Sequence, residues 1–148
     1  MANGLGEYVH SDGIRYVGRW KEDLQHGLGV ENWKENSRFV GNYEYGRKHG
    51  MGAYEWEDQS KYTGSWYENK ICGFGIYEWQ DGRSYEGEWK DNNMDGFGFY
   101  KWNDGRLYQG EYSEDKKHGY GVYSWTDGRQ YSGYWKEGKQ HGLGVYRV

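Results

Sequence analysis

The sequence predicts an all-β fold, namely an elongated single-layer antiparallel β-meander of 23-residue hairpin repeats. Three observations support this prediction. Short motifs recur at a fixed spacing of 23 residues, apolar and polar residues alternate within each repeat, and turn-forming residues separate the alternating stretches. Because each hairpin would join the next one edge to edge, we expect an open, twisted and curved ribbon.

The first strand of each repeat carries the pattern aromatic-x-Gly-x-aromatic. Its six copies are Tyr16-Gly18-Trp20, Phe39-Gly41-Tyr43, Tyr62-Gly64-Trp66, Tyr85-Gly87-Trp89, Tyr108-Gly110-Tyr112 and Tyr131-Gly133-Trp135. A period of two places the two aromatic residues and the glycine on one face of a strand. Glycine weakens a strand unless a neighbouring ring covers it. We therefore expect the Trp20, Trp66, Trp89 and Trp135 rings to pack against glycines of neighbouring strands.

The second strand of each repeat carries Gly-x-Gly, followed in five copies by a tryptophan. The glycine pairs begin at Gly4, Gly27, Gly50, Gly73, Gly96, Gly119 and Gly142, and the tryptophans are Trp33, Trp56, Trp79, Trp102 and Trp125. Most copies then have Asp-Gly, a strong hairpin signal because it suits turns with a positive φ. Glu35-Asn36 and Asp58-Gln59 replace it in two copies.

The other turn contains a column restricted to Gly, Asn and Asp. Its members are Asp23, Gly46, Asn69, Asn92, Asp115 and Gly138. These are the residues that best tolerate the left-handed region of backbone conformation. The column therefore predicts a positive φ at each of these positions.

The combination of Tyr-x-Gly-x-Trp, His-Gly-x-Gly and Asp-Gly resembles the MORN repeat (membrane occupation and recognition nexus). The resemblance covers residues 1–148, which we interpret as one array of about six repeats with a half repeat at the N-terminus. We expect this array to be a segment of a longer protein. The resemblance implies a binding or scaffolding role in cytoskeletal, ciliary or membrane-associated assemblies. It also leaves open an anionic-lipid (phosphoinositide) module, or the regulatory arm of a phosphatidylinositol phosphate kinase.

Composition narrows the classes of function. The net charge is −4, so no overall attraction to nucleic acid is expected, and no stretch approaches the roughly 20 apolar residues of a membrane span. Cys72 is the only cysteine, which favours a reducing, cytoplasmic location. We expect no cofactor.

A column of histidines is the main candidate for metal or acid–base chemistry. His26, His49, His118 and His141 occupy equivalent positions, and Cys72 occupies the same position in another copy. Equivalent residues of successive two-strand repeats would lie about 10 Å apart, too far to share one metal ion. We therefore predict no metal site, and no enzymatic activity.

The aromatic face is the main candidate for partner binding, because a single-layer sheet has no second layer to cover its rings completely. We expect a peptide or a helix of a partner protein to dock in the concave face. The predicted site residues are Tyr16, Trp20, Tyr43, Tyr62, Trp66, Trp79, Tyr85, Trp89, Trp102, Tyr108, Tyr112, Trp125, Tyr131 and Trp135.

Two weaker interfaces are also predicted. A basic edge beside the Asp-Gly turns would make at most weak contacts with anionic lipid, through Arg15, Arg38, Lys61, Arg83, Arg106 and Arg129. The last strand, residues 142–148, would leave a bare sheet edge. We expect this C-terminal edge to support a homodimer.

Overall fold

The computed structural model describes all 148 residues and shows one antiparallel sheet of 13 strands. The strand order in the sheet is the strand order in the chain, so every pairing is with a sequence neighbour. No segment forms a helix that could span a membrane. The strands are β1 (Gly4–Val9), β2 (Arg15–Lys21), β3 (Leu24–Asn32), β4 (Arg38–Glu44), β5 (Arg47–Glu55), β6 (Lys61–Tyr67), β7 (Lys70–Glu78), β8 (Ser84–Lys90), β9 (Asn93–Lys101), β10 (Leu107–Ser113), β11 (Lys116–Ser124), β12 (Gln130–Lys136) and β13 (Lys139–Arg147). The predicted single-layer meander is confirmed.

The hairpin within each repeat, such as β6–β7, contains a bulge, and its second strand is two residues longer than its first. Gly64 of β6 pairs with Gly75 of β7, but Trp66 pairs with Ile71, which leaves Ser65 opposite three residues. One of those three, Gly73, has a φ of 94°. The Tyr62 hydroxyl donates a hydrogen bond to the Ser65 carbonyl oxygen at 2.9 Å. The tyrosine thus satisfies a carbonyl that the interrupted ladder leaves without a strand partner.

The tyrosine at the start of the motif, rather than the tryptophan at its end, lies over the paired glycines. A Cβ on Gly64 would lie 2.6 Å from the Tyr62 hydroxyl oxygen, and one on Gly75 would overlap the Tyr62 ring. Trp66 instead reaches the preceding strand through its indole N–H, which donates to the Gly52 carbonyl oxygen at 3.1 Å. Trp89 and Trp135 make the equivalent bonds. For Trp66, Trp89 and Trp135, the expected contact with a glycine is therefore a hydrogen bond to its carbonyl oxygen. The Trp20 ring, in contrast, packs against Gly6 as expected.

A single sheet buries a core because rings of successive repeats cover one another. The first aromatic of each motif is at most 3% exposed; these residues are Tyr16, Phe39, Tyr62, Tyr85, Tyr108 and Tyr131. The Tyr62 ring lies edge-to-face between Trp66, at 5.4 Å, and Trp89 of the next repeat, at 5.7 Å. Such perpendicular packing suits aromatic rings and fills one face of the sheet.

The turns between the two strands of a hairpin also connect the repeats. All six residues of the predicted column have a positive φ, between 66° and 82°. The Asn69 N–H donates to the Lys48 carbonyl oxygen, and the Lys48 N–H donates to Asn69 Oδ1, both at 2.9 Å. Where the column has Gly46 or Gly138, only the backbone bond is possible. Each such turn is therefore tied to the repeat before it.

Candidate functional site

A continuous stack of alternating tryptophan and tyrosine rings runs from Trp33 to Tyr146 on the glycine-bearing face. Neighbouring ring centroids lie 4.4–6.2 Å apart. The five tryptophans are half-buried. We call this stack the aromatic ladder; its rings are Trp33, Tyr54, Trp56, Tyr77, Trp79, Tyr100, Trp102, Tyr123, Trp125 and Tyr146.

Most of the aromatic residues predicted to contact a partner belong to the core instead. Those that are less than 9% exposed are Tyr16, Tyr43, Tyr62, Trp66, Tyr85, Trp89, Tyr108, Tyr112, Tyr131 and Trp135. The half-buried ones are Trp20, Trp79, Trp102 and Trp125. Only this second group offers appreciable ring surface to a partner.

The predicted site omitted two of the aromatic ladder's five tryptophans and all five of its tyrosines. The omitted rings are Trp33, Trp56, Tyr54, Tyr77, Tyr100, Tyr123 and Tyr146. The sequence contained the signal, since these tyrosines also recur every 23 residues. Their role depends on their packing against the tryptophan two residues later, which only the structure shows.

Three turns at one edge of the aromatic ladder carry an arginine folded back over a ring. Arg83 Nε lies 2.8 Å from Asp81 Oδ2, and its guanidinium carbon lies 5.1 Å from the centre of the Trp79 ring. Nη1 also donates to the Tyr100 hydroxyl oxygen at 3.1 Å. Arg106 repeats all three contacts, and Arg129 repeats the first two. These cations cover part of the ladder.

The pKa of the Asp81 carboxyl is lowered, first by the hydrogen bond from the Arg83 backbone N–H and then by the one from its side chain. The same arrangement lowers the pKa of Asp104 and Asp127. All three side chains are therefore held in the charged form by the turns that they close.

Two turns nearer the N-terminus have serine in place of this arginine. Ser37 and Ser60 are 5% and 2% exposed. Burial raises the pKa of the Tyr77 hydroxyl, and its hydrogen bond with Ser60 opposes that rise. No cation lies over the Trp56 ring. The aromatic ladder is therefore open around Trp56.

The predicted basic edge is not one column. Arg15, Arg38 and Lys61 begin strands and alternate with buried neighbours, so they lie on the face opposite the core. Arg83 and Arg106 belong to turns, one position earlier in the repeat, and their charges are engaged by aspartates. Arg15 is likewise paired with Glu7, at 3.1 Å. The structure does not bring these cations together.

Two lysines have their ammonium groups among the rings. Lys48 Nζ lies 5.2–5.7 Å from the Trp33, Phe39 and Tyr54 ring centres. Lys117 Nζ lies 5.4–5.7 Å from the equivalent rings of Trp102, Tyr108 and Tyr123, and from Trp135. Burial lowers the pKa of both amines. We call this repeat position the plug position; its occupants are Gln25, Lys48, Ile71, Met94, Lys117 and Gln140.

The opposite face of the sheet carries an apolar column of its own. It is formed by the residue between the two glycines of each Gly-x-Gly element, and its members are 49–84% exposed. They are Leu5, Leu28, Met51, Phe74, Phe97, Tyr120 and Leu143.

The histidine column serves the turns. The His49 ring lies 5.0 Å from Tyr67, its Nε2 lies 3.4 Å from Glu44, and its Nδ1 accepts from the Glu68 N–H at 3.4 Å. His26 lies 5.6 Å from the Tyr45 ring. No group of three or more histidine, cysteine or acidic side chains could hold a metal ion. Cys72 is half-buried and unpaired.

Comparison with solved structures returned, among others, the TCP domain of SAS-4 (dCPAP) from Drosophila melanogaster, in complex with a proline-rich motif of Ana2 (dSTIL). The two share 13% sequence identity with a TM-score of 0.45, covering 97% of this chain and 89% of that one. Comparison with curated proteins gave no match.

Comparison with family models gave six matches to the MORN repeat, at residues 16–38, 39–61, 62–82, 85–105, 108–128 and 131–147. These segments account for most of the chain and follow the hairpins of the sheet. The resemblance suggested by the glycine and aromatic motifs is thereby confirmed. The chain belongs to the MORN repeat family.

Proposed function

We propose that this chain is a non-catalytic protein-interaction scaffold that binds a peptide or a helix of a partner protein along the aromatic ladder. The observation that carries the proposal is that all five of the ladder's tryptophans, from Trp33 to Trp125, stay partly exposed. A core already lies beside them in the tyrosine and tryptophan columns. Partly exposed tryptophans in a continuous row of aromatic rings are typical of surfaces that bind protein segments.

The segment around Trp56 is the best candidate for the centre of this interface. Its ring carries no guanidinium, unlike Trp79 and Trp102. The hydroxyl groups of Tyr54 and Tyr77 lie on either side, beside Ser37 and Ser60. A partner can thus bury apolar surface on the rings and make hydrogen bonds at their polar edge.

A peptide library displayed on phage and selected on the immobilised chain tests the proposal. Peptides selected on the unmodified protein should lose at least about tenfold in affinity on a Trp56→Ala variant, because a buried aromatic contact contributes about 2 kcal/mol. The matched control is Phe74→Ala, which removes a ring from the opposite face.

The result that contradicts the proposal is the reverse pattern. Peptides that bind Trp56→Ala normally but fail on Phe74→Ala would place the interface on the opposite face. Circular dichroism and thermal unfolding of both variants separate lost contact from lost folding.

The cellular setting and any self-association belong to the same proposal. Family membership favours a cytoplasmic, cytoskeletal, ciliary or membrane-associated assembly.

β13 leaves a sheet edge whose residues are all exposed, and an unpaired edge favours pairing with a second copy. Light scattering should show a dimer that Val145→Pro converts to monomer. A monomer at high concentration would contradict this part.

The lipid and kinase-arm alternatives remain predictions. For a lipid surface, the aspartate partners of Arg83, Arg106 and Arg129 already reduce the available charge. Sedimentation with vesicles containing phosphatidylinositol phosphates, at low and at physiological salt, tests the first alternative. A kinase domain in the same polypeptide would support the second.

A further inference from the structure

A cavity of about 730 Å³ opens at the N-terminal end of the aromatic face. Its apolar walls include the rings of Tyr8, Tyr16 and Trp20. Trp20 lies 6.2 Å from Tyr8 and 5.1 Å from Tyr16, in both cases edge-to-face. The three rings thus form a corner with ring surface on more than one side.

Glu31 also lines this cavity, in the position where later repeats have a ladder tyrosine. Counting back by 23 residues from Tyr77 and Tyr54 leads to Glu31, so the carboxylate interrupts an otherwise aromatic column. It accepts a hydrogen bond from the Tyr43 hydroxyl at 2.6 Å. The pKa of the Tyr43 hydroxyl is strongly raised, mainly by burial and secondly by this hydrogen bond. One carboxylate is therefore built into the aromatic face.

The charge of the cavity is one-sided. Its lining contains the acidic residues Glu7, Asp23 and Glu31 but no lysine or arginine. The Glu7 carboxylate is neutralised by Arg15, and Asp23 is engaged by the Ala2 N–H. Glu31 makes no ion pair within 4.0 Å. Of the three carboxylates, Glu31 is the one without a direct cationic or backbone partner, and its charge already opposes the lowering of the Lys48 pKa by burial.

The chain itself shows what such a space accepts. At two plug positions, Lys48 and Lys117 place an ammonium group among three or four rings. At the N-terminal end the plug position is Gln25, and one repeat earlier it is Ala2, so no ammonium group is supplied. Both residues line the cavity. Here the rings are joined by the Glu31 carboxylate, which also acts electrostatically on the neighbouring Lys48 ammonium.

We infer that this cavity, which we call the Glu31 pocket, binds a lysine side chain of a partner protein. The four-carbon stem would pack on the Tyr8, Tyr16 and Trp20 rings, and the ammonium would approach Glu31. The inference rests on the proposed function and adds a preference for basic partner segments. Trp56 and the Glu31 pocket lie in different repeats, so each can be tested without the other.

The peptide acetyl-Gly-Lys-Gly-amide tests the pocket directly. Its addition should shift the NMR signal of the Trp20 indole N–H in a saturable way, with assignment from Trp20→Phe. The same peptide with acetylated lysine should give no saturable shift, because the ammonium charge is gone. Glu31→Gln should weaken binding about tenfold, as expected for loss of one charge-assisted contact. The matched control is Glu55→Gln, an exposed carboxylate of β5.

A second pair of variants keeps the test independent of Glu31's own contribution to folding. Gln25→Lys should place an ammonium group in the Glu31 pocket from within the chain, raise the unfolding temperature and abolish peptide binding. Gln140→Lys makes the same change at the last plug position and should leave peptide binding unchanged. Equal binding of the lysine and acetyl-lysine peptides, or undiminished binding in Glu31→Gln and Gln25→Lys, would overturn the inference. An arginine peptide shows whether the pocket prefers the ammonium.

Loss of partner binding in Trp56→Ala with an intact Glu31 pocket would leave the lysine site standing. Phage-selected peptides that need Trp56, together with no saturable shift by the lysine peptide, would support the scaffold and overturn only the pocket. The two failures are therefore distinguishable.

Discussion

The turns that border the aromatic ladder differ between the two halves of the array. In the C-terminal half, the turns after Trp79, Trp102 and Trp125 place an arginine over the tryptophan and an aspartate beside the arginine. In the N-terminal half, buried Ser37 and Ser60 take the arginine's position. The backbone is nearly the same in both halves. Each turn is closed by the same hydrogen bond, in which the tryptophan backbone N–H donates to the carbonyl oxygen four residues later. One residue per turn thus decides whether a guanidinium covers the tryptophan ring, as it does at Trp79 but not at Trp56. Trp33 also lacks a guanidinium but has the Lys48 ammonium 5.2 Å from its ring centre.

The largest expected effect tests whether the two halves of the array have the same kind of core. Gly52→Val and Gly121→Val should each destabilise the array by about 3 kcal/mol, because Phe39 and Tyr108 occupy the space that a side chain needs. Chemical denaturation measures both. A cost in one half but not the other would show that the cores differ, contrary to the register of the sheet. Ser132→Val, on the opposite face of β12, is the control.

Exchanging the turns tests the comparison itself. The double variant Gln59→Gly, Ser60→Arg should lay a guanidinium over Trp56, next to Asp58, and weaken partner-peptide binding about tenfold. Its unfolding temperature should rise by about 2 °C. The reverse change, Arg106→Ser, should uncover Trp102 and lower the unfolding temperature slightly. Unchanged peptide affinity in the double variant would mean that Trp56 is not in the interface.

Acid should weaken the C-terminal turns selectively. The pKa values of Asp81, Asp104 and Asp127 are lowered in the folded chain, so their contribution to stability is present above the unfolded value of about 3.9. It is lost as the pH falls through the lowered folded values. The unfolding temperature should therefore drop less between pH 7 and about pH 3 in the triple aspartate-to-asparagine variant than in the unmodified chain. An equal drop would assign acid sensitivity to other carboxylates.

The smallest effect concerns a feature that does not follow the division into halves. Gly46 and Gly138 lack the side-chain oxygen that Asn69 and Asn92 use to bind the preceding repeat. Gly46→Asn and Gly138→Asn should each stabilise the chain by about 0.5–1 kcal/mol, because asparagine tolerates a positive φ and restores the acceptor. Thermal unfolding measures the gain, with Gly128→Asn as the control. A loss of stability would show that the turns at Gly46 and Gly138 do not accommodate a side chain.

The sequence was sufficient to predict the sheet because its information is local and periodic. The 23-residue spacing, the Gly-x-Gly pairs and the Gly/Asn/Asp column predict hairpins, their order and the positive φ values, all of which the structure confirms. The ring that covers the glycines was assigned less well. Tyr62 and Trp66 alternate identically with Gly64, so periodicity cannot tell which of them packs over it.

The site was harder to predict, because exposure depends on contacts between repeats. Tyr62 and Trp79 are both aromatic residues on the same face, yet Tyr62 is fully buried whereas Trp79 is only partly buried. The basic edge failed as a column for a different reason. Lys61 and Arg83 look equivalent by eye but differ by one position in the repeat, and a one-position shift moves a residue from a strand face into a turn.

The bonds that tie each turn to the turn before it have a consequence for how the gene can change. Every one of them spans 21 residues, whichever repeats it connects. Duplication or deletion of one 23-residue unit therefore restores the same bonds at the new junction, with the cut made at any point in the repeat. The length of the array can change by unequal recombination without a redesigned junction, in steps of about 10 Å. Divergence at single positions, such as Glu31 or Ser60, then gives each copy its own surface chemistry.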